Sequence, residues 1–291
     1  MVRAEPSRPS RFLAMFSPYL RVAAFLVGYF LILFAAAIPK GMAPRALADV
    51  VWGTLSSVAI LAVTHALLTR ERRTRADVGL AVDARSWARL VGGFAVGLGV
   101  YVATVLATSL TLGPIRVSAV VPQRATTWGL VTLSFLALAC MEELGFRAYA
   151  LRTLMPHMGG WQAQLCMAII FGLSHLASGW PWTTVVLGVI PSGLLFGVAA
   201  VRSGGLAFPI GLHAALNVAY WAVGAKETPG VWTLSADPAH LARVNSYAPF
   251  VAVAITLLSS LAIARWPSKT HAGSIVEGPP RIDPGNAEPS R

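Results

Sequence analysis

Apolar residues fall along this chain in long blocks separated by short polar or Gly- and Pro-rich stretches, with no sustained period-2 alternation. The blocks lie near 19–39, 47–68, 88–112, 128–150, 161–178, 183–202, 205–224 and 247–266. Each approaches the roughly 20 residues an α-helix needs to cross a bilayer core. The pattern predicts an all-α polytopic membrane bundle of about eight transmembrane helices. AIPKGMAPR, RERRTRADVGLAVDARS, LGPIRVSAVVPQR and PHMGG supply the first turns. RSGG is so short that the helices it joins are expected to be antiparallel neighbours. SGWPW reads as a tight turn with Trp180 and Trp182 at interfacial depth. PSGLLFG spaces Gly193 and Gly197 for close helix packing in lipid, with a functional use equally open.

Composition removes the soluble alternatives. Hydrophobic residues make up 56% of the 291 positions and charged ones 12%, and the mean hydropathy is +0.65, outside the range of ordinary soluble domains. The basic start MVRAEPSRPSRFLAMFSPYLR leads into a run of spanning length with no small-residue cleavage site, so the first helix is expected to be retained. From Pro267 the Pro-, Gly- and charge-rich tail reads as disordered.

The net charge of +11 orients the protein and does not call for nucleic acid. If the N-terminus is inside, 17 of the 23 Lys and Arg fall on one side, the bias expected with both termini cytoplasmic. The excess of Arg over Lys points to a GC-rich bacterial genome, and so to the bacterial inner (plasma) membrane. Cys140 and Cys166 lie in apolar blocks as small hydrophobes, with no disulfide or zinc-ligand spacing.

Against this background two polar residues stand out. Glu142 and Glu143 are the acidic residues well inside an expected span. An intramembrane carboxylate costs about 2.5–3.5 kcal/mol on insertion scales and usually faces a partner or cavity. Glu143 and Arg147 are four apart on one helix face, so they are expected to pair. Glu142, rotated by about 100°, projects elsewhere. The bland reading, both glutamates sharing the arginine to hold helices together, is equally open at this point. His175, four residues after Phe171, and His213, four before Asn217, lie on two further spans at depths compatible with convergence. His65 reads as a packing residue, and His157, His240 and His271 fall in loops or the tail.

EELGFR at 142–147, FGLSH at 171–175 and HAALN at 213–217 resemble the ordered motifs Glu-Glu-x-x-x-Arg, Phe-x-x-x-His and His-x-x-x-Asn of the CPBP family. That family comprises intramembrane proteases related to the CAAX prenyl endopeptidase, with bacteriocin-processing and bacteriocin-immunity relatives. The resemblance divides the chain into N-terminal helices over 1–127, a catalytic core over 128–224, a loop and last helix over 225–266 and the tail over 267–291. It implies an endopeptidase acting on a membrane-anchored protein or peptide. Glu142 would activate water with help from His175, while His213 and Asn217 would stabilise the oxyanion. Glu143, Arg147 and Phe171 would support the site.

The residue types suit that chemistry. Peptide hydrolysis needs a base tuned to its working pH and oxyanion donors placed in advance. Ser174 and Ser192 have no evident triad, and Cys140 has no activating neighbour. Zn²⁺ held by Glu142, His175 and His213 is a possible variant, but there is no His-Glu-x-x-His pair and Asn is a poor zinc ligand, so metal-independent attack is preferred. A non-catalytic scaffold of the same fold is the first alternative. A proton-coupled transporter is a remoter one, since the first three spans supply few polar groups.

Overall fold

The computed structural model describes residues 11–120, 123–226 and 230–266, with side chains from Ser17 onward. The basic segment before Arg11 and the tail from Pro267, expected to be disordered, lie outside the described residues. Helices α1 (Arg11–Met42), α2 (Ala48–Glu71) and α3 (Ser86–Leu112) come first. Helix α4 (Ala125–Glu143) runs through a π-helical turn, Leu144–Ala148, into α5 (Tyr149–Met158). Next come α6 (Gly160–Ala177) and a short α7 (Trp182–Thr184), which passes through a second π-helical turn, Val185–Val189, into α8 (Ile190–Ser203). Helices α9 (Ala207–Ala222) and α10 (Leu241–Arg265) complete the bundle.

Six of these segments are long and apolar enough to cross a membrane: Ser17–Met42, Arg45–Glu71, Ser86–Leu112, Ala125–Met158, Trp182–Ser203 and Leu241–Arg265. Their outward faces carry large apolar side chains such as Phe34 (79% exposed) and Leu110 (86%), which a bilayer would solvate and water would not. The protein is an integral membrane protein. The other two expected spans form helices but fall short by the same measure. Helix α9 has 16 residues, about 24 Å at 1.5 Å per residue against a core of about 30 Å. Helix α6 has 18, but Gln162, Gln164, Ser174 and His175 dilute its hydropathy. These two helices carry the paired motifs of FGLSH and HAALN.

The chain is not purely helical. Strands β1 (Ile115–Ala119) and β2 (Trp232–Ala236) form an antiparallel ribbon with Ile115 opposite Ala236 and Ala119 opposite Trp232. Short runs rich in β-branched and aromatic residues, read as loops from the hydropathy pattern, find each other because α3 and α10 bring them to the same end of the bundle. The Arg116–Asp237 ion pair at 2.9 Å closes the ribbon.

Small residues let the helices approach. Gly93 and Gly97 of α3 lie on the backbone carbonyls of Phe208 and Leu212 in α9, and Gly211 lies on that of Leu90. Gly53 of α2 meets Ala137 of α4, and Gly193 of α8 meets Phe171 and Ala168 of α6. Gly204 adopts φ +73° between α8 and α9, a left-handed turn suited to glycine. At the opposite end from the ribbon, Glu71 accepts hydrogen bonds from Arg73 and the Tyr149 hydroxyl and pairs with Arg21 at 3.0 Å, tying α1, α2 and α5 together. Arg147, counted in the charge bias, is not at a surface: it is 1% exposed.

Candidate active site

The π-helical turn after Glu143 widens α4 where the two glutamates meet the arginine. Such turns are found often at functional positions. Gly145 within it lies under the Tyr29 ring of α1, which would stand 2.3 Å from any added Cβ. Tyr29 also meets Phe146 edge-on, with centroids 5.2 Å apart. Tyr29 was not among the residues singled out by sequence. A tyrosine within an apolar span carries no spacing signal of its own.

Glu143 and Arg147 pair as their spacing predicts, with Nη1 3.3 Å from Oε1 and both side chains almost fully buried. Arg147 Nη2 donates to the Gly193 carbonyl at 3.1 Å, so the guanidinium links α4 to α8. Its carbon lies 4.4 Å from the Phe171 ring centroid and 5.6 Å from those of Phe146 and Phe196. An aromatic cage thus encloses the charge. Glu143 Oε2 has no hydrogen-bond partner among the described residues.

His213 stands between the two glutamates. Its Nδ1 is 3.0 Å from Glu143 Oε1 and its Nε2 is 3.5 Å from Glu142 Oε2. The imidazole stacks on Phe196 at 4.3 Å with 16° between the planes. Beside Arg147, Glu143 is the acceptor, so Nδ1 carries a proton and Nε2 is the nitrogen turned to Glu142. Glu142 is the more accessible carboxylate, with its side chain 21% exposed.

His175 is oriented by its own helix. Its Nδ1 lies 2.8 Å from the Phe171 carbonyl. A carbonyl only accepts, so Nδ1 bears the proton and Nε2 of the neutral ring presents a lone pair. Phe171 and Trp180 hold the ring edge-on, with centroids at 4.7 and 5.1 Å. Trp180, expected at the interfacial belt, packs against a histidine of the candidate site. Phe171 lies 6.1 Å from the His213 ring as well, so one aromatic side chain separates the two imidazoles.

Asn217, one helical turn beyond His213, meets a residue of the loop that follows its own helix. Lys226 Nζ donates to Asn217 Oδ1 at 2.9 Å. The ammonium also lies 5.4 Å from the Trp180 ring and 5.7 Å from that of Phe135. Burial pushes the Lys226 pKa down, and the nearby Glu142 carboxylate counters this. Lys226 lies in a loop, where helical spacing gives no warning of an inward side chain.

The arrangement thus joins Glu142, Glu143, Arg147 and His213 directly and links His175 through Phe171, while Asn217 shares a helix face with His213. Zn²⁺ would need at least three converging donors. Among the described residues no group of three or more His, Cys, Asp or Glu side chains could hold a metal ion. The Nδ1 contacts of His213 and His175 leave both Nε2 atoms open toward the site, but with Glu142 they do not converge into such a group. These residues do not fit the zinc variant.

Residues 124–219 match the family described as Type II CAAX prenyl endopeptidase Rce1-like. The match spans all three motifs, from Glu142 to Asn217, and bears out the family resemblance over that stretch. No curated protein and no solved structure matches the chain.

Proposed function

We propose that this membrane protein, whose residues 124–219 are of the Rce1-like CAAX prenyl endopeptidase family, hydrolyses a peptide bond in a membrane-anchored protein or peptide. The observation that carries the reading is the His213 imidazole facing Glu142 with one nitrogen and the buried Glu143–Arg147 pair with the other. This is how a site orients a working side chain through a fixed supporting one.

In the proposed reaction Glu142, the accessible carboxylate, takes a proton from water as its oxygen attacks the scissile carbonyl. His175 Nε2 offers a second acceptor for that water. The developing oxyanion is met by the Asn217 amide and by His213, which can donate from Nε2 only when that nitrogen is also protonated. Collapse of the tetrahedral adduct breaks the C–N bond, and the proton held by Glu142 passes to the departing amine. Glu143 and Arg147 hold His213 and take no proton in this scheme. The charge bias favours both termini in the cytoplasm, and a bacterial plasma membrane is the proposed location.

The test is comparative membrane proteomics of the host carrying wild type or Glu142→Gln at equal expression. A membrane-protein terminus present only with the wild type supports the reading and names a candidate substrate for the purified enzyme. His175→Ala and His213→Ala are expected to lose nearly as much activity. Normal turnover by a folded Glu142→Gln protein would overturn the mechanism, and an intact host phenotype without any terminus change would favour a scaffold.

A further inference from the structure

An asparagine carboxamide can sit in two orientations that exchange its oxygen and nitrogen, and only one of them presents the NH2 group to a given partner. At Asn217 the choice matters, because the reading above requires hydrogen-bond donors from this side chain. Lys226 settles the choice. An ammonium is donor-only, so with Nζ 2.9 Å from the amide the facing atom must be Oδ1. The reverse orientation would set donor against donor.

Lys226 is itself held in place. The aromatic faces of Trp180 and Phe135 lie within 5.4 and 5.7 Å of Nζ. The loop that carries it is fixed at its base. Ala225 N–H donates to Tyr220 at 2.9 Å, Gly224 N–H to Trp221 at 2.9 Å, and Val231 N–H to Ala222 at 2.9 Å. Gly224 takes φ +74°, which lets the chain turn back toward α9. A lysine free to sample solvent would need none of these contacts.

We infer that Lys226 is a positioning residue: by occupying Asn217 Oδ1 it holds the amide NH2 group on the opposite edge, available to the oxyanion. This rests on the proposed hydrolytic reading. The rival is a structural role, in which Lys226 only places a positive charge near the carbonyl end of α9. The two differ in what happens to Asn217.

The chain has three asparagines, Asn217, Asn245 and Asn286, so protein labelled with 15N-asparagine gives few side-chain NH2 pairs, and Asn217→Asp assigns the relevant one. In wild type in detergent, the Asn217 pair is expected to show slowed solvent exchange. Lys226→Met should shift the pair and speed its exchange, and Lys226→Arg, also donor-only, should restore both. For cleavage, Lys226→Met is expected to reduce formation of the wild-type-specific terminus about tenfold or more, below the 10²–10³ lost with a whole oxyanion donor. In an Asn217→Ala background Lys226→Met should cost nothing further.

An unchanged Asn217 pair in Lys226→Met overturns the inference. So does a loss of cleavage that is as large without Asn217 as with it. If instead Glu142→Gln still cleaves, the hydrolytic reading fails, while the NH2 spectrum still reports on the Lys226–Asn217 contact by itself.

Discussion

The buried Glu143–Arg147 pair is where single side chains carry the largest stakes. Both are within 1% of complete burial, and replacing one partner leaves the other as an uncompensated charge. Breaking such a pair costs about 3–5 kcal/mol, whereas removing both partners together costs much less. Arg147→Met should therefore sharply lower the folded yield and the melting temperature in detergent. Glu143→Gln combined with Arg147→Met should recover much of that loss, because the orphaned carboxylate is gone. The double variant should still be impaired in cleavage, since His213 Nδ1 then meets a neutral amide oxygen in place of a carboxylate, and the guanidinium that fixes that side chain is gone. If the double variant melted as low as Arg147→Met, the pair would not be the source of the instability. This much was legible in the sequence: two adjacent glutamates and an arginine at helical spacing in an apolar run have few other uses. The link from Glu143 to His213 was not, because it joins residues 70 positions apart on helices whose rotation no periodicity fixes. Lys226 was hidden for a related reason: a loop cation looks the same in sequence whether it faces water or an amide.

At the scale of the elements, α9 is the critical piece. It carries His213 and Asn217, and its position depends on backbone contact with α3. A Cβ added at Gly93 would stand 2.0 Å from the Phe208 carbonyl oxygen, and one at Gly97 would stand 2.4 Å from that of Leu212. Backbone atoms cannot step aside as a side chain can, so even alanine must part the helices. Overpacking of this kind costs about 1–3 kcal/mol. Gly93→Ala is expected to lower the melting temperature and to reduce cleavage beyond the loss of folded protein, as His213 is drawn from Glu142. Gly92→Ala and Gly99→Ala, which meet nothing within 4 Å, should fold and cleave as wild type does, with helix propensity slightly raised. Equal melting of Gly93→Ala and Gly99→Ala would remove the close approach as a determinant. The Gly93–Gly97 spacing matches that of Gly193 and Gly197 but was not singled out in the sequence. Nor was its partner, since α9 is contiguous in sequence with α8 yet packs most closely on α3. The shortness of α9 also went unseen, because hydropathy does not register where a helix yields to a turn such as Gly224.

For the whole molecule, the question is which leaflet the site addresses. The chain alternates between the two ends of the bundle. Tyr19 bonds to the His157 carbonyl and Arg202 to that of Trp266 at one end, while Arg116 pairs with Asp237 and Arg243 bonds to Thr111 at the other. The candidate site lies toward the second end. His175 is two residues from the end of α6, and Trp180 and Lys226 are in the connections beyond α6 and α9. The first end carries the RERRTR loop, so in the orientation proposed from the positive-inside bias that end is cytoplasmic and the ribbon and the site face outward. The expected substrate class is then the outer-leaflet segment of an exported or anchored protein. Single cysteines introduced at Arg75 and Val117, in a background lacking Cys140 and Cys166, test this with a membrane-impermeant thiol reagent. Val117→Cys should react in intact cells and Arg75→Cys only after lysis. The reverse pattern would invert the bundle and direct the search to substrates whose anchors reach the membrane from the cytoplasm. Either pattern fixes which newly formed termini in the proteomic comparison lie within reach of Glu142.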